Sequence, residues 1–69
     1  MATFRSEIGS LIRKARMEQG LTQKELGEKI GVGEPTVNKY ESGKQNLTVE
    51  TLKRVADALD MQIKVTFYK

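Results

Sequence analysis

Two residue types are missing altogether from this 69-residue chain: cysteine and histidine. Without cysteine there is no disulfide, thiolate–zinc site or thiol nucleophile. Without histidine there is no imidazole base. A cysteine-free chain fits a reducing compartment, and a cytoplasmic location is the expectation. The N-terminus has no apolar run of signal-peptide length, and no segment is long and apolar enough to span a bilayer. A membrane is therefore not an expected partner. Also missing are a cluster of carboxylates, a nucleophile beside a base and a phosphate-cradling glycine loop. No enzyme activity, metal or cofactor is expected. Internal repeats, low-complexity tracts and linkers are likewise absent.

What is present is compact. Residues 1–69 make one domain, near the lower size limit for an unaided core. A core this small typically supplies only ~3–5 kcal/mol, so association with a second subunit would help. The formal charge is +3, from twelve basic and nine acidic residues. A basic chain favours a polyanion, but this balance is common in soluble domains, so the placement of the charges decides.

Phe4, Ile8, Leu11, Ile12 and Ala15 fall at helical spacing as one apolar stripe, with Thr3 or Ser6 to cap the start and Gly20 to stop the helix. A second helix opens on a capping box, Thr22 with Glu25, and a hydrophobic staple, Leu21 with Leu26. Leu26 and Ile30 face inward, and Gly31 ends the helix. Gly27, in its middle, costs ~1 kcal/mol relative to alanine, and close approach of a neighbouring helix is the expected compensation. A third helix is expected from about Glu34 to Ser42. Pro35 suits its first turn, Val37 and Tyr40 face the core, and Gly43 terminates it. Thr48 caps a fourth helix carrying Leu52, Val55, Ala56 and Leu59. After Met61 the period becomes two: Ile63, Val65 and Phe67 alternate with polar residues, so 62–68 reads as a strand. With no other strand in the chain, its backbone groups call for the same strand of a second copy.

Residues 22–42 thus form two helices joined by a short turn, a helix-turn-helix unit. Such a unit holds its second helix out far enough to enter the major groove of DNA. With Val37 and Tyr40 committed to the core, Glu34, Asn38 and Lys39 face outward and Thr36 lies at the flank. Lys39 can donate to guanine O6 and N7, and Asn38 can pair with adenine N6 and N7. Glu34 can accept from a cytosine amino group, and the Thr36 methyl can touch a thymine methyl. Ser42, Lys44, Gln45 and Asn46 lie just beyond this helix, where a DNA backbone would pass. Tyr40 is mainly a core residue whose hydroxyl could reach a phosphate.

The segment Leu11 to Leu59 resembles the Cro/Xre family of helix-turn-helix DNA-binding domains, which includes lambdoid-phage repressors and many bacterial regulators. The resemblance is carried by Arg16, Leu21, Thr22-Gln23, Glu25-Leu26, Gly31-Val32-Gly33, Pro35-Thr36-Val37 and Tyr40-Glu41-Ser42-Gly43-Lys44. It implies a mainly α, lambda-repressor-like domain of four helices, followed here by a C-terminal β-strand pairing across a dimer. Gln23 resembles the family residue that bonds a backbone phosphate, and Arg16 with Glu41 resembles the family's structural ion pair between first and third helices. There are two departures. Gly33 stands where the family usually caps the third helix with Ser or Thr, at a cost of a few tenths of a kcal/mol. The strand with Ile63, Val65 and Phe67 replaces the family's fifth helix, an ending similar to antitoxins of the HigA and HipB kind.

The expected function is a sequence-specific, dimeric regulator of transcription, a repressor acting by steric exclusion of polymerase. Its partners would be double-stranded DNA with a pseudo-palindromic operator and a second copy of itself. The alternative is an antitoxin that binds a protein toxin away from the third helix and autoregulates their shared operon.

Overall fold

The computed structural model describes residues 3–69, in which four α-helices succeed one another: α1 (Phe4–Glu18), α2 (Gln23–Ile30), α3 (Glu34–Ser42) and α4 (Val49–Ala58). Each start has a local cause. Thr3 caps α1 through the Ser6 N–H, and the Ser6 hydroxyl returns a bond to the Thr3 N–H. Thr22 and Glu25 form the same reciprocal box at α2, and the Thr48 hydroxyl accepts from the Thr51 N–H at α4. Gly33 caps α3 with no side-chain bond. At the other end of α2, Gly31 adopts φ +79°, the left-handed conformation that costs other residues most.

The core is built around α3, which packs on both α1 and α2, while α4 closes over α2. Ile12, Leu26, Ile30, Val37, Tyr40, Val55 and Leu59 are buried together, with Ile8, Ala15, Leu21, Leu52 and Met61 against their edges. Leu26 and Val37 are fully enclosed. The helix-turn-helix pair is therefore held from both sides.

Three expectations are corrected. The stripe of α1 is shifted: Ile12 is buried and Ile8 and Ala15 pack on the core as expected, but Phe4 and Leu11 are 77% and 62% exposed and Gly9 is buried in their place. The cause is Gly9. A Cβ built there would lie 2.5 Å from the carbonyl oxygens of both Tyr40 and Glu41, so α1 and α3 meet backbone to backbone. That contact turns the Gly9–Ile12–Arg16 side inward and leaves Phe4 and Leu11 on the far flank. Gly27 has a different neighbour from the one expected. Its added Cβ would meet the Val32 carbonyl oxygen at 2.6 Å, so the turn folding back on α2, and not another helix, excludes a side chain.

The third correction concerns the C-terminus. No strand is present among the described residues: 62–69 are exposed, without a regular element, and Val65 and Phe67 are 76% and 97% accessible. Ile63, Val65 and Phe67 have the alternation of a strand, but a strand is defined by its ladder, and a single chain supplies no second edge. Asp60, at φ +55°, turns the chain out of α4 toward this tail. No described helix is long and apolar enough to cross a membrane.

Candidate nucleic-acid interface

The nine residues of α3 divide by helical geometry. Val37, Tyr40 and Glu41 are buried. Glu34, Asn38 and Ser42, one turn apart, are exposed, as are Pro35 and Lys39 beside them, and Thr36 is half-buried at the edge. At ~100° per residue these five exposed positions span less than half the circumference of the helix. The result is a polar ridge interrupted by one proline ring. Its candidate donors and acceptors are the Lys39 ammonium, the Asn38 amide and the Glu34 carboxylate.

The ridge is rigidly mounted. Arg16 of α1 reaches Glu41 of α3 with two guanidinium bonds, Nε to Oε2 at 2.6 Å and Nη2 to Oε1 at 3.1 Å. Its Nη1 donates to the Leu21 carbonyl at 2.7 Å, which ties in the chain just before α2. The side chains are 11% and 3% exposed, so this bidentate pair is nearly removed from water. Hydrogen bonding to Glu41, with its charge, holds the Arg16 guanidinium above its ordinary range against the opposing effect of burial. Because Glu41 spends its charge inward, the buried acid of α3 adds no free negative charge to the ridge.

Gln23, the first residue of α2, belongs to the same cluster. Its side-chain amide donates to Glu41 Oε1 at 3.1 Å. The side chain is half-buried and directed at α3. The cluster thus couples the first turn of α2 to the last turn of α3.

Beyond Ser42, Gly43 takes φ +74° and the Lys44 N–H returns to the Lys39 carbonyl at 3.0 Å. Lys44, Gln45 and Asn46 continue as an exposed loop, and the Ser42 hydroxyl donates to the Lys39 carbonyl. Tyr40 fills the core with its ring. Its hydroxyl bonds no described residue, and no buried side-chain polar atom of the described residues is left unpartnered, so the oxygen opens to the surface.

Three contributors lie outside the candidate residues named from the sequence. Pro35 suits a helix start, yet it also stands on the exposed ridge. Gly9 sets the distance between α1 and α3. Arg54, from α4, donates to the Ile30 carbonyl at the end of α2 and steadies the turn that launches α3. Carrying the outward arc round by one more residue would find Pro35. Gly9 and Arg54 act across long sequence separations and leave no local signal.

Two helices crossing at a glycine turn, the second bearing an exposed polar ridge, define a helix-turn-helix module. The chain belongs to the helix-turn-helix family HTH_3, whose profile matches residues 12–65. It is 42% identical over 50 residues to an HTH-type transcriptional regulator of Methanothermobacter thermautotrophicus, covering 72% of each chain. It is 26% identical over 58 residues to the antitoxin HipB of Escherichia coli K12, covering 84% of this chain and 66% of that one. Among solved structures, the clp gene regulator ClgR from C. glutamicum superposes with a TM-score of 0.87 at 27% identity, over 90% of this chain and 80% of that one. The restriction-modification controller C.Esp1396I, solved as a tetramer with its natural operator, superposes at 0.80 with 26% identity, over 90% and 82%. Two further curated relatives are longer, and the chain spans 39% and 38% of their length.

Proposed function

We propose that this chain is a dimeric, sequence-specific DNA-binding regulator of transcription that inserts α3 into the major groove. Membership of the helix-turn-helix family and similarity to transcriptional regulators support a regulator, not an enzyme. The observation that carries the finer reading is the exposed ridge of α3, clamped from behind by Arg16 and Glu41.

In this reading Lys39, Asn38, Glu34 and the Thr36 methyl touch base edges, and Lys39 paired with guanine is the strongest discriminator. Gln23, Tyr40, Ser42, Lys44, Gln45 and Asn46 contact phosphates, which set position but not sequence. Gln23 keeps one amide hydrogen on Glu41 and has a second to offer a phosphate, so backbone contact and reading-helix orientation share one side chain. Two copies, joined through Ile63, Val65 and Phe67, place their reading helices about one helical turn apart, roughly 34 Å. Occupancy of the operator excludes polymerase and represses.

Gel-shift titration over a panel of operators tests the assignment. Lys39→Ala is expected to relax preference at one base position, a loss of about 1–3 kcal/mol of discrimination. Lys44→Ala is expected to weaken all sequences alike and to flatten the salt dependence by about one phosphate. Equal losses on every site for both variants would refute the division of labour.

Similarity to HipB supports a second reading, an antitoxin that binds a protein toxin through a surface away from α3. A small toxin gene beside this one, with co-purification of its product, is the expected outcome there. Purification from the native source without a partner argues against it.

A further inference from the structure

We propose that Arg5, at the start of α1, is a further phosphate ligand that extends the DNA footprint past the end of the reading helix. The inference rests on the DNA-binding reading and adds to it an element assigned no contact so far. Three observations on α1 carry it.

The first is register. Arg5 precedes Gly9 by four residues, so it shares the Arg5–Gly9–Ile12–Arg16 stripe that faces α3. Gly9 lies against the carbonyls of Tyr40 and Glu41, near the end of α3. One turn further toward the N-terminus, α3 has already ended. Side chains on a helix lean toward its N-terminus, so Arg5 overhangs the loop beyond α3 and not α3 itself.

The second is contact. A Cβ added to Gly43 would lie 2.8 Å from Ser6 Cα and 3.0 Å from Ser6 N, so the first turn of α1 abuts the residue that opens the Lys44–Asn46 loop. That loop is the segment read as tracking the DNA backbone. The Thr3–Ser6 capping box holds this turn as helix, which fixes where Arg5 emerges.

The third is availability. Arg5 is exposed, and among the described residues its guanidinium makes no hydrogen bond or ion pair, in contrast to Arg16 and Arg54. Glu7, the acidic residue of the same turn, is two positions away and so points to the other side of the helix. An unpaired guanidinium on the turn that abuts Gly43 presents a forked donor to one phosphate, the geometry arginine serves best.

The test is the salt dependence of binding by the full chain to a selected operator and to a scrambled duplex. The comparison uses wild type, Arg5→Ala, Arg5→Lys, Lys44→Ala and Lys14→Ala, the last removing a charge from the opposite face of α1. Each phosphate contact contributes about 0.9 to the slope of log K against log salt. Arg5→Ala is expected to lower that slope by about 0.9 and to weaken operator and scrambled duplex by the same factor. Arg5→Lys should recover most of the slope, and Lys14→Ala should keep the wild-type slope. A wild-type slope in Arg5→Ala, while Lys44→Ala falls, overturns the role of Arg5 and leaves the DNA reading standing. Wild-type protein that binds neither duplex overturns both.

Discussion

At the scale of single residues, Glu41 has the largest leverage. It accepts from Arg16 twice and from Gln23 once, and it does so with almost no exposure to water. Removing one partner of such a pair leaves the other charge buried and uncompensated, at about 3–5 kcal/mol. A domain this small holds about that much stability in total. Glu41→Ala is therefore expected to be largely unfolded at room temperature, as read by urea titration. The double replacement Arg16→Met with Glu41→Leu fills the same space without a charge and should recover most of the fold. A folded Glu41→Ala protein with a wild-type midpoint would show that the pair carries little. The sequence disclosed both partners, because the family resemblance supplied their roles. The inward turn of the Gln23 amide was hidden, since it depends on how α2 and α3 sit together and on no local pattern.

At the scale of elements, the ends of the helices were written in the chain. Thr22 with Glu25, Gly31, Pro35 and Gly43 are local chemical signals that act within one turn, and α3 runs over the expected residues, Glu34–Ser42. Gly33 is the one weak cap. Its φ of −80° suits any residue, and an added Cβ would meet only Pro35 Cδ at an ordinary 3.5 Å. Gly33→Ser is expected to stabilise the domain by a few tenths of a kcal/mol, seen as a raised denaturation midpoint. An unchanged or lowered midpoint would mean the hydroxyl does not reach the Thr36 N–H. The α2 cap should also register in acid. The Thr22 backbone N–H, then its hydroxyl, hold the Glu25 carboxyl below its usual range. A depressed carboxylate stabilises the fold above the ordinary glutamate value and loses that contribution as pH falls through the folded value. Glu25→Gln should therefore show a shallower loss of thermal stability than wild type on acidification. Parallel curves would remove Glu25 from the acid response. By contrast, the sequence pattern placed Ile8, Ile12 and Ala15 correctly but did not show that Phe4 and Leu11 of the same stripe stay outside. Several apolar arcs were available on that helix, and the Gly9 contact with α3 selected one of them.

At the scale of the whole molecule, the proposed dimer needs a contact that fixes the distance between its two α3 helices. The tail of 62–69 leaves Ile63, Val65, Phe67 and Tyr68 exposed, an apolar set with no partner within the described chain. Pairing two tails would satisfy their backbone groups and cover this surface together. Val65→Asp with Phe67→Asp is expected to convert a dimer into a monomer in sedimentation velocity, and to lose tight binding to paired half-sites while keeping weak binding to one. Wild-type protein that sediments as a monomer at ~100 times its working concentration would undo the tail assignment.

Helix starts, helix ends and the outward identity of Asn38 and Lys39 follow from interactions spanning three or four residues, which is why the order of residues alone specifies them. The inward face of α1, the clamp that joins Gln23 to Glu41, the Arg54 bond to Ile30 and the contact of Ser6 with Gly43 all join residues far apart in the chain. They exist only because α1 and α2 pack as they do against α3, with α4 over α2, at distances set by backbone contact at Gly9, Gly27 and Gly43. A periodic pattern states that a segment has an apolar side. Which neighbour meets that side, and how closely, is settled by three-dimensional packing.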